Sequence, residues 1–150
     1  MQNFSLQGAL PLFTNLMKCP CHSKKPYHLC CEPYHKGEKS AETPLALMRS
    51  RYSAYALDLP NYIVRTTHPD GPIFQNDLEK WISSIEEFSL TTKFENLKIE
   101  SFDETHVTFF ATLSCFGKDV SFREVSFFKK HQGQWCYFGP DSKTWQSYSH

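Results

Sequence analysis

The chain has 150 residues, and its sixteen basic and sixteen acidic side chains cancel to a formal charge of zero. That length buries one real core with small attachments, and the charge balance supplies no global field to recruit nucleic acid or an anionic membrane. Thirteen Phe, seven Tyr and three Trp need a large apolar interior or an aromatic-lined pocket, while no stretch approaches the roughly 18 apolar residues of a membrane span.

The chain opens on MQNFSLQGALPLFTNLM, residues 1–17. No basic start precedes its apolar part and Pro11 interrupts it, so it reads as a loosely docked arm rather than a signal peptide. Nothing then sends the chain to an oxidising compartment, where disulfides persist, and a cytoplasmic location is expected.

Residues 18–38 hold four of the six cysteines, in the order Cys19-x-Cys21, eight residues, Cys30-Cys31. Four thiolates match the demand of a closed structural zinc site, in which Zn–S bonds of about 2.3 Å hold the sulfurs a little under about 4 Å apart. Cys19 and Cys21 meet that if the chain turns at Pro20, whose φ is preset. Adjacent cysteines in a strand would point to opposite faces, so Cys30 and Cys31 require a helical turn. Disulfides between such near neighbours would be strained, and a redox motif would more usually read Cys-x-x-Cys beside a strand–helix unit. The spacing favours one metal ion, mainly zinc, and a full sulfur shell leaves no position for a reacting water. His22, His28 and His35 are spare donors, expected as exposed surface residues. Five lysines and two glutamates in residues 18–39 sum to +3; a zinc ion with four thiolates contributes −2, leaving too little for nucleic-acid electrostatics.

These residues, Cys19-Pro-Cys21, Ser23, Lys24-Lys25, Tyr27 and Cys30-Cys31, resemble the SEC-C motif, a small bacterial zinc module also found at the C-terminus of the preprotein-translocase ATPase. The resemblance implies Cys19, Cys21, Cys30 and Cys31 as zinc ligands. Where the motif usually has Gly, this chain has His22.

After the linker GEKSAETP, the segment TPLALMRSRYSAYALDL reads as a helix with Thr43 as N-cap and Pro44 in its first turn. Leu45, Met48, Tyr52, Tyr55 and Leu59 form its apolar face. Pro60 opens a second short helix, PNYIVRTTH, which Pro69 stops, and Asp70-Gly71-Pro72 is a turn. Asn76, with Glu79 three residues on, starts a third helix whose stripe is Leu78, Trp81 or Ile82, Ile85 and Phe88. From residue 91 the period drops to two. FENLKIESF, HVTFFATLSCF, VSFREVSFFKK and QWCYF read as strands of an antiparallel meander. Helices first and strands later predict an α+β fold, with the helices on one face of a curved sheet.

Both faces of Val120–Lys130 carry apolar side chains, and Glu124 lies among phenylalanines on one of them. A buried Glu124 needs a cation or hydrogen-bond partner; Arg49, Arg51 or Arg65 would supply it and lock helix to sheet. The alternative is a pocket carboxylate. Cys115 and Cys136 read as core thiols.

The order of these segments resembles the bacterial YchJ family. The most telling pieces are Leu47-Met48-Arg49-Ser50-Arg51-Tyr52, the run from Tyr62 to Thr67-His68-Pro69, and Glu124 with Gly133 to Tyr137. That resemblance implies a SEC-C module joined to a nuclear-transport-factor-2-like, or cystatin-like, cone: about three helices packed on a bent sheet, often around an apolar pocket. The expected organisation is an arm at 1–17, the module at 18–38, the cone at 39–140 and a tail at 141–150. Many members end on a second SEC-C motif, which DSKTWQSYSH does not carry.

Two functions follow as expectations. The first is a non-enzymatic adaptor whose module docks a protein, as the translocase module contacts a chaperone and the ribosome; the module's small net charge offers little for direct contact with nucleic acid or ribosome. The second is a small-molecule binder or enzyme built on the cone pocket. Its candidate residues are Tyr52, Tyr55, His68, Trp81, Glu124, Trp135 and Tyr137, with Glu124 or His68 as acid/base. No Ser-His-Asp order, phosphate-cradling loop or diagnostic carboxylate pair accompanies them.

Overall fold

A computed structural model describes residues 17–141; residues 1–16 of the arm and 142–150 of the tail lie outside it. The module comes first. A 3-10 turn, Tyr27–Leu29, leads into a one-turn helix, α1 (Glu32–His35). The body follows with α2 (Pro44–Ala56), α3 (Pro60–Arg65) and α4 (Leu78–Thr91), then β1 (Thr92–Phe102), β2 (His106–Cys115), β3 (Lys118–Asp119), β4 (Phe122–His131) and β5 (Gln134–Pro140).

The helix signals act as their chemistry dictates. The Thr43 hydroxyl accepts from the Ala46 N–H at 3.1 Å, satisfying a donor that the first turn leaves free. The third start lies one residue later than expected: Asp77, not Asn76, is the N-cap of α4 and accepts from Lys80 N at 3.1 Å. α2 is buried over more than one stripe. Leu47, Met48 and Tyr52 face the core, but Ser50, Arg51 and Ser53 are buried too. The helix touches the sheet on one side and α1 and α3 on the other.

The strands pair in the order β1-β2-β4-β5, all antiparallel, with β3 added to β2. The strand expected from Val120 is interrupted there. β3 ends at Asp119 and β4 begins at Phe122; between them the Ser121 hydroxyl bonds the N–H and C=O of Leu113 at 2.9 and 3.2 Å, replacing ladder bonds. Register shifts at Phe94/Asn96, Ile99/Ser101 and Phe127/Phe128 are bulges, which bend a sheet. The bent sheet and three helices enclose a core of Leu47, Met48, Tyr62, Ile63, Trp81, Ile85, Leu97, Val107 and Phe128, among others.

The segment after α3 closes onto β5. Thr67 forms a parallel bridge with Tyr137, with His68 N–H to Tyr137 O and Tyr137 N–H to Thr66 O both at 2.8 Å. Gly71 permits this approach, since a Cβ there would lie 2.3 Å from the Phe138 carbonyl oxygen.

Candidate metal centre and cone cavity

The four cysteines are brought together by two short turns. Lys18 and Pro26 form an isolated antiparallel bridge, and Cys19 N–H donates to Lys25 O at 2.8 Å. The loop between them closes through His22 and Lys24, both at positive φ (64° and 74°). Such a conformation suits Gly and costs other residues about 1–2 kcal/mol, which explains the usual Gly at the His22 position. Here the imidazole holds an anchor instead: Nε2 lies 3.3 Å from the Phe94 carbonyl oxygen and the ring packs edge-on against Tyr52. Cys30 caps the 3-10 turn and Cys31, in helical conformation (φ −89°, ψ −20°), opens α1. The adjacent thiols therefore converge, as their spacing required.

All four Sγ atoms lie within 4.8 Å of one another, with Cys21–Cys30 at 3.6 Å and Cys30–Cys31 at 3.9 Å. Sulfurs around one tetrahedral ion at about 2.3 Å would be about 3.8 Å apart, so the donor set fits a metal. Three of the cysteines are buried. Hydrogen bonding with Cys19 pulls the Cys21 and Cys30 thiols toward ionisation. The same sharing pushes Cys19 and Cys31 up, through Cys21 and Cys19 respectively. Holding all four as thiolates this close takes a cation.

The module is fastened to the body by its histidines and by arginines of the body. His35 Nε2 donates to Ser50 O at 2.8 Å, and its Nδ1 takes the Tyr27 hydroxyl at 2.7 Å. Burial holds the ring toward its neutral form. Arg49 donates to Cys21 O at 3.0 Å, and Arg65 to the carbonyls of Tyr34 and His35 at 3.0 and 3.1 Å. His35 is thus a half-buried bridge, not the exposed surface residue expected, because α2 runs alongside α1 and supplies an acceptor. No spacing in the sequence marks that role. His28 and His22 are half-buried as well. Lys18, Lys24, Lys25, Lys36 and Lys39 face outward with Leu29, which is 68% exposed.

A cavity of about 260 Å³ opens between α2, α4 and the sheet. Its walls are Phe88, Phe94, Phe109, Phe122 and Phe128 with Tyr52 and Tyr55, many of them stacked edge to face (Tyr52–Phe94, Tyr55–Phe88 and Phe88–Phe94 at 5.4–5.5 Å). One end is polar. Glu124 Oε2 accepts from the Tyr137 hydroxyl at 2.6 Å and from Ser126 Oγ at 2.5 Å. Burial foremost pushes the Tyr137, Tyr55 and Tyr52 hydroxyls up, which keeps them protonated donors.

Of the candidate pocket residues, Tyr52, Tyr55, Glu124 and Tyr137 line this cavity; His68, Trp81 and Trp135 do not. His68 is buried within the closing segment, where its Nδ1 accepts from Asp70 N–H and its ring packs edge-on against His131 and tilted against Phe138. Trp81 packs on Phe74 in the core, and Trp135 Nε1 donates to Glu42 O. Of the candidate Glu124 partners, Arg49 and Arg65 turn to the module. Arg51 lines the cavity with its guanidinium 4.7 Å from the Tyr137 ring centre, and its Nη1 donates to Ile63 O, Thr66 Oγ1 and Thr67 Oγ1. The sequence pointed to Glu124 but not to its hydroxyl partners, because Tyr137 arrives from the neighbouring strand. Cys136 is buried and Cys115 half-buried.

A four-cysteine module fused to a helix-packed, bent antiparallel sheet defines a SEC-C protein with a cone-shaped body. Residues 43–140 match the family described as "YchJ, middle NTF2-like domain", and the chain belongs to the YchJ family. It is 39% identical over 120 residues to a UPF0225 protein of Deinococcus radiodurans, covering 79% of this chain and 85% of that one. Among solved structures it is similar to a SEC-C motif containing protein from Rhodopseudomonas palustris (33% identity, TM-score 0.68, 83% of this chain and 98% of that one). Another similar structure is a SEC-C motif containing protein from Psychrobacter arcticus (26% identity, TM-score 0.65, 88% and 85%). Among the described residues no helix is long and apolar enough to cross a membrane.

Proposed function

We propose that this is a cytoplasmic, non-enzymatic adaptor whose module holds one structural zinc ion and docks a protein partner. The observation that carries the reading is the division of the module into two sides. Its inner side is committed to the body through His22, His35, Arg49 and Arg65, while five lysines and Leu29 face solvent. An all-thiolate shell selects zinc among common divalent ions and closes it to substrate. Offset by the thiolates, the lysines favour a protein surface with acidic residues around an apolar contact over a nucleic acid. Elemental analysis should find one zinc per chain. A photo-crosslinking residue at position 29 should trap a defined protein, and trapping should fail in the Cys30→Ser, Cys31→Ser double variant. Equal trapping by that variant would remove the docking role.

The cavity supports a second reading, a small-molecule binder centred on Glu124. The specific observation is a polar end of Glu124, Tyr137 and Ser126 inside otherwise aromatic walls, the arrangement of ligand pockets generally. His68, the other acid/base candidate, lies away from it, so the geometry favours binding over catalysis.

A further inference from the structure

We infer that the seam between module and cone takes an extended peptide segment of the docked partner, one with acidic residues beside a leucine-sized apolar residue. This rests on the docking reading above and adds where the partner lies and which chemistry recognises it. Two grooves run along the seam. One, of about 450 Å³, lies between the module and α2 and is lined by Lys25, Leu29, Leu45 and Arg49. The other, of about 320 Å³, lies between the linker, α3 and β5 and is lined by Arg65, Gln134 and Trp135. Tyr34 and Lys39 line both, so the grooves adjoin in one trough that crosses from module to cone. A flat protein surface cannot reach the floor of a trough, whereas an extended chain fills it and offers side chains to successive pockets.

Charge decides the sign of the guest. Lys25, Lys39, Arg49 and Arg65 line the trough, and among the described residues no Asp or Glu does. Arg49 and Arg65 give hydrogen bonds to neutral carbonyls, those of Cys21, Tyr34 and His35, and Lys39 Nζ lies 5.1 Å from the Tyr34 ring centre. These contacts hold the side chains in place without neutralising them. The acids closest in sequence, Glu32, Glu38 and Glu42, line neither groove, and Glu32 pairs with Lys36.

Magnitude decides the class. Cys30 and Cys31 also line the trough, and a zinc-loaded four-thiolate cluster offsets part of the cationic charge, leaving about two positive charges. That surplus is matched by two or three carboxylates, whereas a nucleic acid gains affinity with every phosphate neutralised and would call for more cations. The module end of the trough is apolar as well. Leu29 is 68% exposed and shares its groove with Leu45, so an apolar side chain flanked by acids covers surface that water now meets.

Full-length, zinc-loaded protein titrated at low salt with the fluorescein-labelled peptide GELEDEEG, read by anisotropy, tests this. The comparison probes are GESEDEEG, GKLKRKKG and an oligothymidylate. GELEDEEG should bind, about fivefold or more tighter than GESEDEEG through its leucine, and the basic peptide and the oligothymidylate should not displace it. Lys25→Glu with Lys39→Glu should weaken binding about tenfold or more. Lys118→Glu, the same charge change on β3 and outside the trough, should leave it within about twofold. Should the double variant not fold, NMR of the unaltered protein decides: the Leu29 methyl and Trp135 indole signals should move and those of Phe116, 85% exposed elsewhere, should not. Tighter binding of the oligothymidylate, or an equal loss in Lys118→Glu, overturns the inference. So does a peptide that does not bind. If the crosslinker at position 29 then still traps a protein, the docking reading stands without the peptide; if it traps none, both fall.

Discussion

Single residues carry the metal site and the polar end of the cavity. Cys31 is the most buried thiol apart from Cys21, and Cys31→Ser should abolish stoichiometric zinc and lower stability by about 3 kcal/mol, on the order of 10 °C in melting temperature. Metal analysis and a calorimetric scan check it. The pH dependence of metal affinity has a definite sign. Cys19 and Cys31 are raised, first by hydrogen bonding to Cys21 and Cys19 respectively, so without metal they retain protons that zinc must displace. Lowering the pH is therefore expected to weaken metal binding, and binding at neutral pH to release protons, measurable by titration calorimetry with zinc in buffers of different ionisation enthalpy. In the cavity, Tyr137→Phe removes a donor from Glu124 and should cost about 1–3 kcal/mol in urea unfolding. The residue types at both sites were legible in the sequence. Tyr137 as the donor to Glu124 was not, since the two are thirteen residues apart and meet only across the β4–β5 ladder.

At the scale of elements, helix starts and strand periods were the readable features, and departures occur where neighbours intervene. Asp77 displaces Asn76 as cap of α4, one residue from the expected start, because its carboxylate is the group that reaches Lys80 N–H. β4 starts at Phe122 because Ser121 bonds Leu113 through its side chain. The junction of the post-α3 segment with β5 has no signal beyond a turn at Asp70-Gly71-Pro72, yet Gly71 has space for no side chain beside Phe138. Gly71→Ala should shift backbone and cost about 1–3 kcal/mol, read as a lower urea midpoint with an unchanged slope. An unaffected midpoint would show that the segment lifts freely from β5.

For the whole molecule, His35, Arg49, Arg65 and His22 join the module to the cone, and the two are expected to unfold together. Zinc removal is then expected to lower one cooperative transition that includes the sheet, rather than to melt the module alone; separate transitions by tyrosine and tryptophan fluorescence would refute this. His35 adds a pH effect. Burial lowers its pKa from the ordinary 6.5, so between the folded value and 6.5 the unfolded chain binds more protons. Stability from this group is present above about pH 6.5 and is lost as the pH falls below it. His35→Ala should remove that component and cost about 2–3 kcal/mol at pH 7.5 through the lost Tyr27 and Ser50 bonds.

By itself the sequence determined the cysteine cluster, the element order and the α+β class, because these depend on spacing along the chain: adjacent cysteines need a helical turn, and periods of 3.6 and 2 distinguish helices from strands. Only the tertiary structure decided that α2 is buried over more than one stripe, that His35 is a fastening rather than a surface residue, and that Glu124 meets hydroxyls in a cavity from which His68, Trp81 and Trp135 are absent. Those outcomes depend on which elements lie side by side, and side-chain periodicity carries no record of the neighbour across a helix pair or a strand ladder.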